Sequence, residues 1–172
     1  CYYNSFFGHM AGESNTSGNG NTFVGYLAGM HNTTGEYNSF FGHGAGAFNS
    51  TGSYNVFLGL SAGLSNSVES LNSFLGVGST GAAGITNSTA IGARAKVSQS
   101  NSLVLGSING VNSATADTNV GIGVTNPERK LHVAETGTTA ARGVAFDQYS
   151  ADAFASVFIL RKSRSATAGS HT

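Results

Sequence analysis

The chain has 172 residues with eight basic and eight acidic side chains, and only 9% of it is charged, against about 25% in an average globular protein. Its 25 glycines, 11 Phe and 6 Tyr at zero net charge exclude a disordered chain, which is poor in aromatics and carries net charge. The neutral balance argues against a nucleic-acid binder, which shows a basic patch, and no apolar run reaches the roughly 18 residues that would cross a membrane. A single cysteine, Cys1, excludes an internal disulfide framework. No signal peptide is visible. Both ends read as cuts in a longer chain, because Cys1 stands just before a repeat and the sequence stops abruptly at SATAGSHT.

From the first residues the chain repeats. Asn4, Asn21, Asn38, Asn55 and Asn72 recur every 17 residues, each followed two positions later by Phe6, Phe23, Phe40, Phe57 and Phe74. The next position is always apolar (Phe7, Val24, Phe41, Leu58, Leu75), and then comes Gly8, Gly25, Gly42, Gly59 and Gly76. A second Asn falls at Asn15, Asn32, Asn49 and Asn66, and Gly18, Gly35 and Gly52 close the unit. The pattern then shortens to about 14 residues, in Asn87 to Gly92 and Asn101 to Gly106, and ends in a degenerate copy, Asn119 to Gly123.

A 17-residue unit is too short for a pair of helices, and its glycines oppose helix at roughly 1 kcal/mol each. The apolar stretch bounded by Asn and Gly reads as a short strand. Ordering one coil costs roughly 1–2 kcal/mol per residue, and burying one Phe with one or two aliphatics returns about 1.5–3 kcal/mol each. One coil cannot stand alone, so the expected fold is a stack of about seven to eight coils over residues 1–124, a parallel β-solenoid or β-roll. Stacking lines Phe on Phe and Asn on Asn as structural ladders. Adjacent strand residues face opposite sides, so the Phe6 column fills the coil and the Phe7 column points outward. Such an apolar stripe calls for a partner, and a closed, symmetric, parallel oligomer supplies one.

Charge rises after residue 116, where six of the eight Lys and Arg lie. Asn126 to Val133 reads as a turn leading into a short strand, within a transition placed at 125–140. Residues 143–149 and 154–161 read as two strands opening a C-terminal β-domain over 141–172, which the end of the sequence truncates.

The segment NSTAIGARAKVSQSNSLVLG (87–106) resembles the head repeats of trimeric autotransporter adhesins. The 17-residue units, such as NTFVGYLAGMHNTTGEY (21–37), resemble repeats of bacterial surface proteins and phage tail fibres. TNVGIGVTNPERKLHV (118–133) resembles the tail-fibre segment that leads from a repeat region into a further β-domain, and the end of the chain resembles the start of a fibre β-repeat. The resemblance implies a left-handed, all-β roll that packs as a homotrimer, followed by a small trimeric β-domain. It implies an extracellular place, in a virion tail fibre or on a bacterial surface. The partners would be other fibre or baseplate proteins and a cell-surface receptor, a glycan among the candidates, reached through regions outside this segment. No chaperone domain or outer-membrane anchor accompanies the repeats.

Catalytic signatures are missing from the sequence: there is no GxSxG, HExxH, CxxC or P-loop pattern. Residues 1–116 hold no Asp, and Glu only at Glu13, Glu36 and Glu69, which argues against repeat-type calcium sites. No cofactor, metal or enzymatic activity is therefore expected. His9 and His43 read as turn residues facing solvent rather than as a symmetric metal ring. The Asn columns read as turn caps and amide stacks rather than as a carbohydrate ladder. Asn15, Asn32, Asn49 and Asn87 match a glycosylation sequon, a pattern that arises easily in Ser/Thr-rich turns. The Thr16, Thr33, Ser50, Ser67 column is too mixed for a flat ice-binding face. Arg161, Lys162 and Arg164 read as a solvated strand end or an intersubunit ion pair. The expected function is a fibre shaft, with a matrix-binding bacterial adhesin as the alternative. A glycan-degrading spike is a remote third, for which Asp147 and Asp152 are the only close carboxylates after the repeats.

Overall fold

The computed structural model describes residues 2–133. The strands read at 143–149 and 154–161, the pair Asp147 and Asp152, and the basic cluster at 161–164 lie outside the described residues. Within them the fold is all-β, a parallel β-solenoid of about six turns. Its strands are β1 Ser5–Phe7, β2 Thr22–Val24, β3 Ser39–Phe41, β4 Val56–Leu58, β5 Ser73–Leu75, β6 Thr80–Gly81, β7 Thr89–Ile91, β8 Lys96–Val97, β9 Leu103–Leu105, β10 Val120–Ile122 and β11 Leu131–Val133. The main sheet runs β1-β2-β3-β4-β5-β7-β9, all parallel; β6 pairs β8 and β10 pairs β11.

The register is the sequence repeat made physical. Phe6 pairs Phe23, Phe23 pairs Phe40, Phe40 pairs Phe57 and Phe57 pairs Phe74. Their rings stack at 4.8, 4.9, 4.7 and 5.0 Å with interplanar angles of 8° or less. That spacing is the strand-to-strand distance of a sheet, so the backbone ladder sets the ring ladder. Phe23, Phe40, Phe57 and Phe74 are at most 1% exposed. Phe6, at the open edge of β1, is 38% exposed. Two glycine columns make room for the rings and for the rungs. At Gly46 (φ 58) a Cβ would fall 2.4 Å from the Phe40 ring, and at Gly25 (φ 134) it would fall 2.6 Å from the carbonyl oxygen of Gly42 in the next coil.

Two asparagine ladders close the coil interior. The side-chain oxygens of Asn4, Asn21, Asn38 and Asn55 each accept the backbone N–H of the next Asn in the column at 2.8–2.9 Å. Their amide nitrogens donate across the coil to the carbonyls of Gly18, Gly35, Gly52 and Glu69 at 2.8 Å. The second column forms its own ladder: Asn32 donates to Asn15, Asn49 to Asn32 and Asn66 to Asn49, at 2.8–3.0 Å. Among the described residues no buried side-chain nitrogen or oxygen lacks a partner, which matters because each orphan would cost about 1–3 kcal/mol. Asn32 and Asn49 are fully buried and engaged, so the folded coil offers no glycosylation acceptor there.

Above β5 the coils shorten and the ladder changes hands. Phe74 pairs Ala90, and Ala90 pairs Val104, with Ile85, Ala95 and Val97 filling the narrower interior. Ser88, not Asn87, enters the Asn column, its N–H donating to the Asn72 side chain at 3.1 Å. Asn87 and Asn101 move one place outward, to left-handed backbone positions at φ 52 and 57, which Asn tolerates better than most residues. The repeat count led to seven or eight coils. The described residues form a stack of about six turns, and the last copy, Asn119 to Gly123, pairs with β11. The turn-then-strand reading of 126–133 is met by β11.

Phe57 has a stacked ring on each side, so Phe57→Ala opens a void that neither neighbour can fill. The expected cost is about 3–5 kcal/mol, read as a lowered midpoint in guanidinium unfolding. Phe7→Ala, at the solvent-facing end of the outer column, should cost much less in the isolated protomer.

Candidate interaction face

A three-residue strand has one inward and two outward positions, so seven stacked strands present two outward columns. The first is Ser5, Thr22, Ser39, Val56, Ser73, Thr89 and Leu103; the second is Phe7, Val24, Phe41, Leu58, Leu75, Ile91 and Leu105. The second is apolar at every rung. Its members other than Val24 are 37–77% exposed. Between Val56, Leu58, Leu75, Thr89 and Ile91 the face holds an apolar groove of about 180 Å³.

Columns on either side add aromatic surface. Tyr37 and Tyr54 stack at 5.2 Å, in left-handed backbone at φ 55 and 60, and Leu71 shares that conformation at φ 63. Bulky residues there cost about 1–2 kcal/mol each, where the shorter coils use Asn87 and Asn101. On the other side His9 stacks on Tyr26 at 5.6 Å, and Tyr26 meets His43 at 5.0 Å. The two histidines thus belong to an exposed ring ladder, one aromatic removed from each other. Among the described residues no group of three or more His, Cys, Asp or Glu is arranged to hold a metal ion, and no helix is long and apolar enough to cross a membrane.

The hydroxyls of Thr16, Thr33 and Ser50 donate to the carbonyls of Thr33, Ser50 and Ser67 at 2.9–3.0 Å. This column, read as a mixed turn surface, is a third inter-coil ladder. The ten residues picked out from the repeat are all brought together: the five Asn and five Phe form the wall and the filling of one interior. They are structural. The outward face is carried by their neighbours.

Glu69 is the residue that the repeat count passed over. It stands where Gly18, Gly35 and Gly52 stand in the other coils, and that break in the column was visible in the sequence. It is buried. Its carboxylate accepts the backbone N–H groups of Ser67 at 2.7 Å and Val68 at 3.0 Å within its own turn, and of Gly84 at 2.8 Å in the next. Burial pushes its pKa up. The backbone donors, Gly84 first, outweigh burial and hold the group below the usual carboxylate range. Glu69 thus fastens the last long coil to the first short one. Further along, Asp117 is also held low, chiefly by its bond to Lys130 (2.6 Å) and next by the N–H of Asn109. That pair is exposed.

Comparison with protein-family models, with curated proteins and with solved structures finds no match for this chain.

A group whose pKa is depressed on folding stabilises the fold fully above its unfolded value, about 4.3 for glutamate, and the contribution is lost as pH falls through the lower folded value. Glu69→Gln should lower the unfolding midpoint near neutral pH. It should also flatten the loss of stability between about pH 4.3 and the folded-state value, because the variant has no proton to take up there. Thermal melts of both proteins at a series of pH values check this. Parallel acid curves for the two proteins would count against the role given to Glu69.

Proposed function

We propose that this chain is a non-enzymatic structural segment of an extracellular trimeric fibre: a left-handed β-roll shaft of the kind found in phage tail fibres, positioning a receptor-binding tip. One observation carries the reading. The outward column from Phe7 to Leu105 is apolar at all seven rungs and largely uncovered in the single chain. Burying one large apolar side chain is worth about 1.5–3 kcal/mol, so a column of them is a large driving force for association. Parallel strands in register place that column along the solenoid axis, as a fibre of parallel protomers requires. A three-fold arrangement closes it without leaving a free face. The sparsely charged surface and the ladders, which tolerate repetition without limit, suit a rigid spacer. The seven-to-eight-coil count and the small β-domain after the roll belong to this same reading.

The likeness of 87–106 to adhesin head repeats supports a second reading, a trimeric bacterial surface adhesin binding host or matrix. The complete gene separates the two. A secretion signal with a membrane-anchor domain favours the adhesin, whereas neighbouring virion structural genes favour the tail fibre.

Light scattering of the purified chain should give three times the 17.4 kDa protomer mass. Leu58→Glu with Leu75→Glu, both outward and exposed, should dissociate it while leaving the β-rich circular dichroism spectrum in place. A stable 17.4 kDa protomer for the unaltered chain would overturn the trimer.

A further inference from the structure

Between β9 and β10 the chain folds back against the flank of the roll. The Asn112 amide donates to the Gly78 carbonyl at 2.7 Å and to the Arg94 carbonyl at 3.2 Å, so one side chain ties this loop to two earlier rungs. Asn112 and the next residue, Ser113, both stand in left-handed backbone, at φ 51 and 59. Two such non-glycine residues in succession are strained, and strain of this kind gathers at ligand sites. Between the loop and the rungs lies a cleft of about 270 Å³, close to the lower end of small-ligand pockets. It has room for a molecule of one ring.

Half of the lining is apolar. Leu60 and Val77 supply it, and both are exposed. Ser61, Asn112, Ser113 and Arg94 supply the polar part. Arg94 is the first Lys or Arg in the chain. It too stands in left-handed backbone, at φ 58, in the column that holds Gly44 and Gly78 in earlier coils. Its stem passes beside Gly78, where an added Cβ would come 4.0 Å from Arg94 Cγ, and its Nη1 donates to the Ser113 carbonyl. Among the described residues no carboxylate pairs with it; the ion pair found there joins Lys130 to Asp117. Nη2 and Nε, with no partner among the described residues, form the edge that grips both oxygens of a carboxylate. A single cation balances one negative charge, which suits a carboxylate better than a phosphate carrying nearly two.

We propose that this cleft binds one unit of an acidic sugar, a pyranose that carries a carboxylate. The carboxylate lies on Arg94, the ring carbons lie against Leu60 and Val77, and the ring hydroxyls meet Ser61, Asn112 and Ser113. Uronic and sialic acids share this chemistry. All the lining residues come from one protomer, and bonds within that protomer hold the loop in place. The proposal therefore goes beyond the fibre reading and does not rest on the trimer.

The test is a titration of the full chain with four probes, followed by saturation-transfer NMR: methyl glucuronide, the methyl glycoside of N-acetylneuraminic acid, methyl glucoside and cyclohexanecarboxylate. At least one of the two acidic sugars should bind, about tenfold more tightly than the neutral sugar or the plain ring acid. Which of the two binds separates the uronic from the sialic source. Arg94→Gln should erase the preference for the acidic sugar over methyl glucoside, and Arg94→Lys, which keeps the charge without the fork, should keep only part of it. Ser61→Leu should block the cleft and abolish binding with Arg94 intact. Leu27 holds the equivalent place in its coil at φ 60, so the fold accepts that side chain, and an unchanged circular dichroism spectrum checks it. Equal binding of methyl glucoside overturns the role of Arg94, and equal binding of cyclohexanecarboxylate overturns the sugar. No binding of either acidic sugar, or binding that survives Ser61→Leu, overturns the site.

Discussion

Every rung of this protein depends on the one beside it. A 17-residue coil has one large side chain to bury and no room to fold back on itself, so its core, its backbone partners and its polar satisfaction all come from the next coil. That dependence dictates identity at each position. The Phe ring needs another flat ring at rung spacing, the Asn amide needs another Asn to hand a hydrogen bond to, and the glycine facing each ring needs to lack a Cβ. A ladder of this sort is satisfied by repetition, and the sequence repeats because the physics does.

The exceptions show how the ladder adapts. When the coil shortens, its cross-section no longer holds a Phe, and Ala90 and Val104 take the inward place. The polar wall shifts with it: Ser88 replaces Asn in the column, and the displaced Asn87 moves to the left-handed corner, where its amide pairs with Asn101 at 2.8 Å. Glu69 marks the joint. In the long coils this position meets the next coil so closely that only glycine fits. A Cβ on Gly52 would fall 2.2 Å from the carbonyl oxygen of Glu69. Above Glu69 the rung is shorter, and the space it leaves is filled by a carboxylate bonded to the backbone of both turns.

The same alternation that buries one column exposes another. A fold so thin cannot hide two apolar columns in one chain, and the outer column from Phe7 to Leu105 is the residue of that constraint. The strained tyrosines beside it and the stacked His9, Tyr26 and His43 show that aromatic surface persists on both flanks of the strand face. Together these columns give the exterior a side suited to a partner, and the inward ladders give it the rigidity to present that side over many rungs.

The sequence by itself determined the repeat, the short strands, the identity of the inward Phe column and the outward column beside it, because a period of 17 and an alternation of two are both properties of a linear string. Four things were decided only in three dimensions. One is the second ladder through Asn15, Asn32, Asn49 and Asn66, whose members could equally have capped turns in solvent. Another is the exchange of Asn87 for Ser88 in the wall, a one-residue shift that a change of coil length makes invisible to pattern matching. The carboxylate of Glu69 fastening two turns is a third. The last is the pairing of Asn119 to Gly123 with β11. Its pattern still matches a rung, but Thr118, bonded to Ser107, lies against Gly106. Pattern records what a residue is suited to do; chain connectivity and coil diameter decide where it can stand.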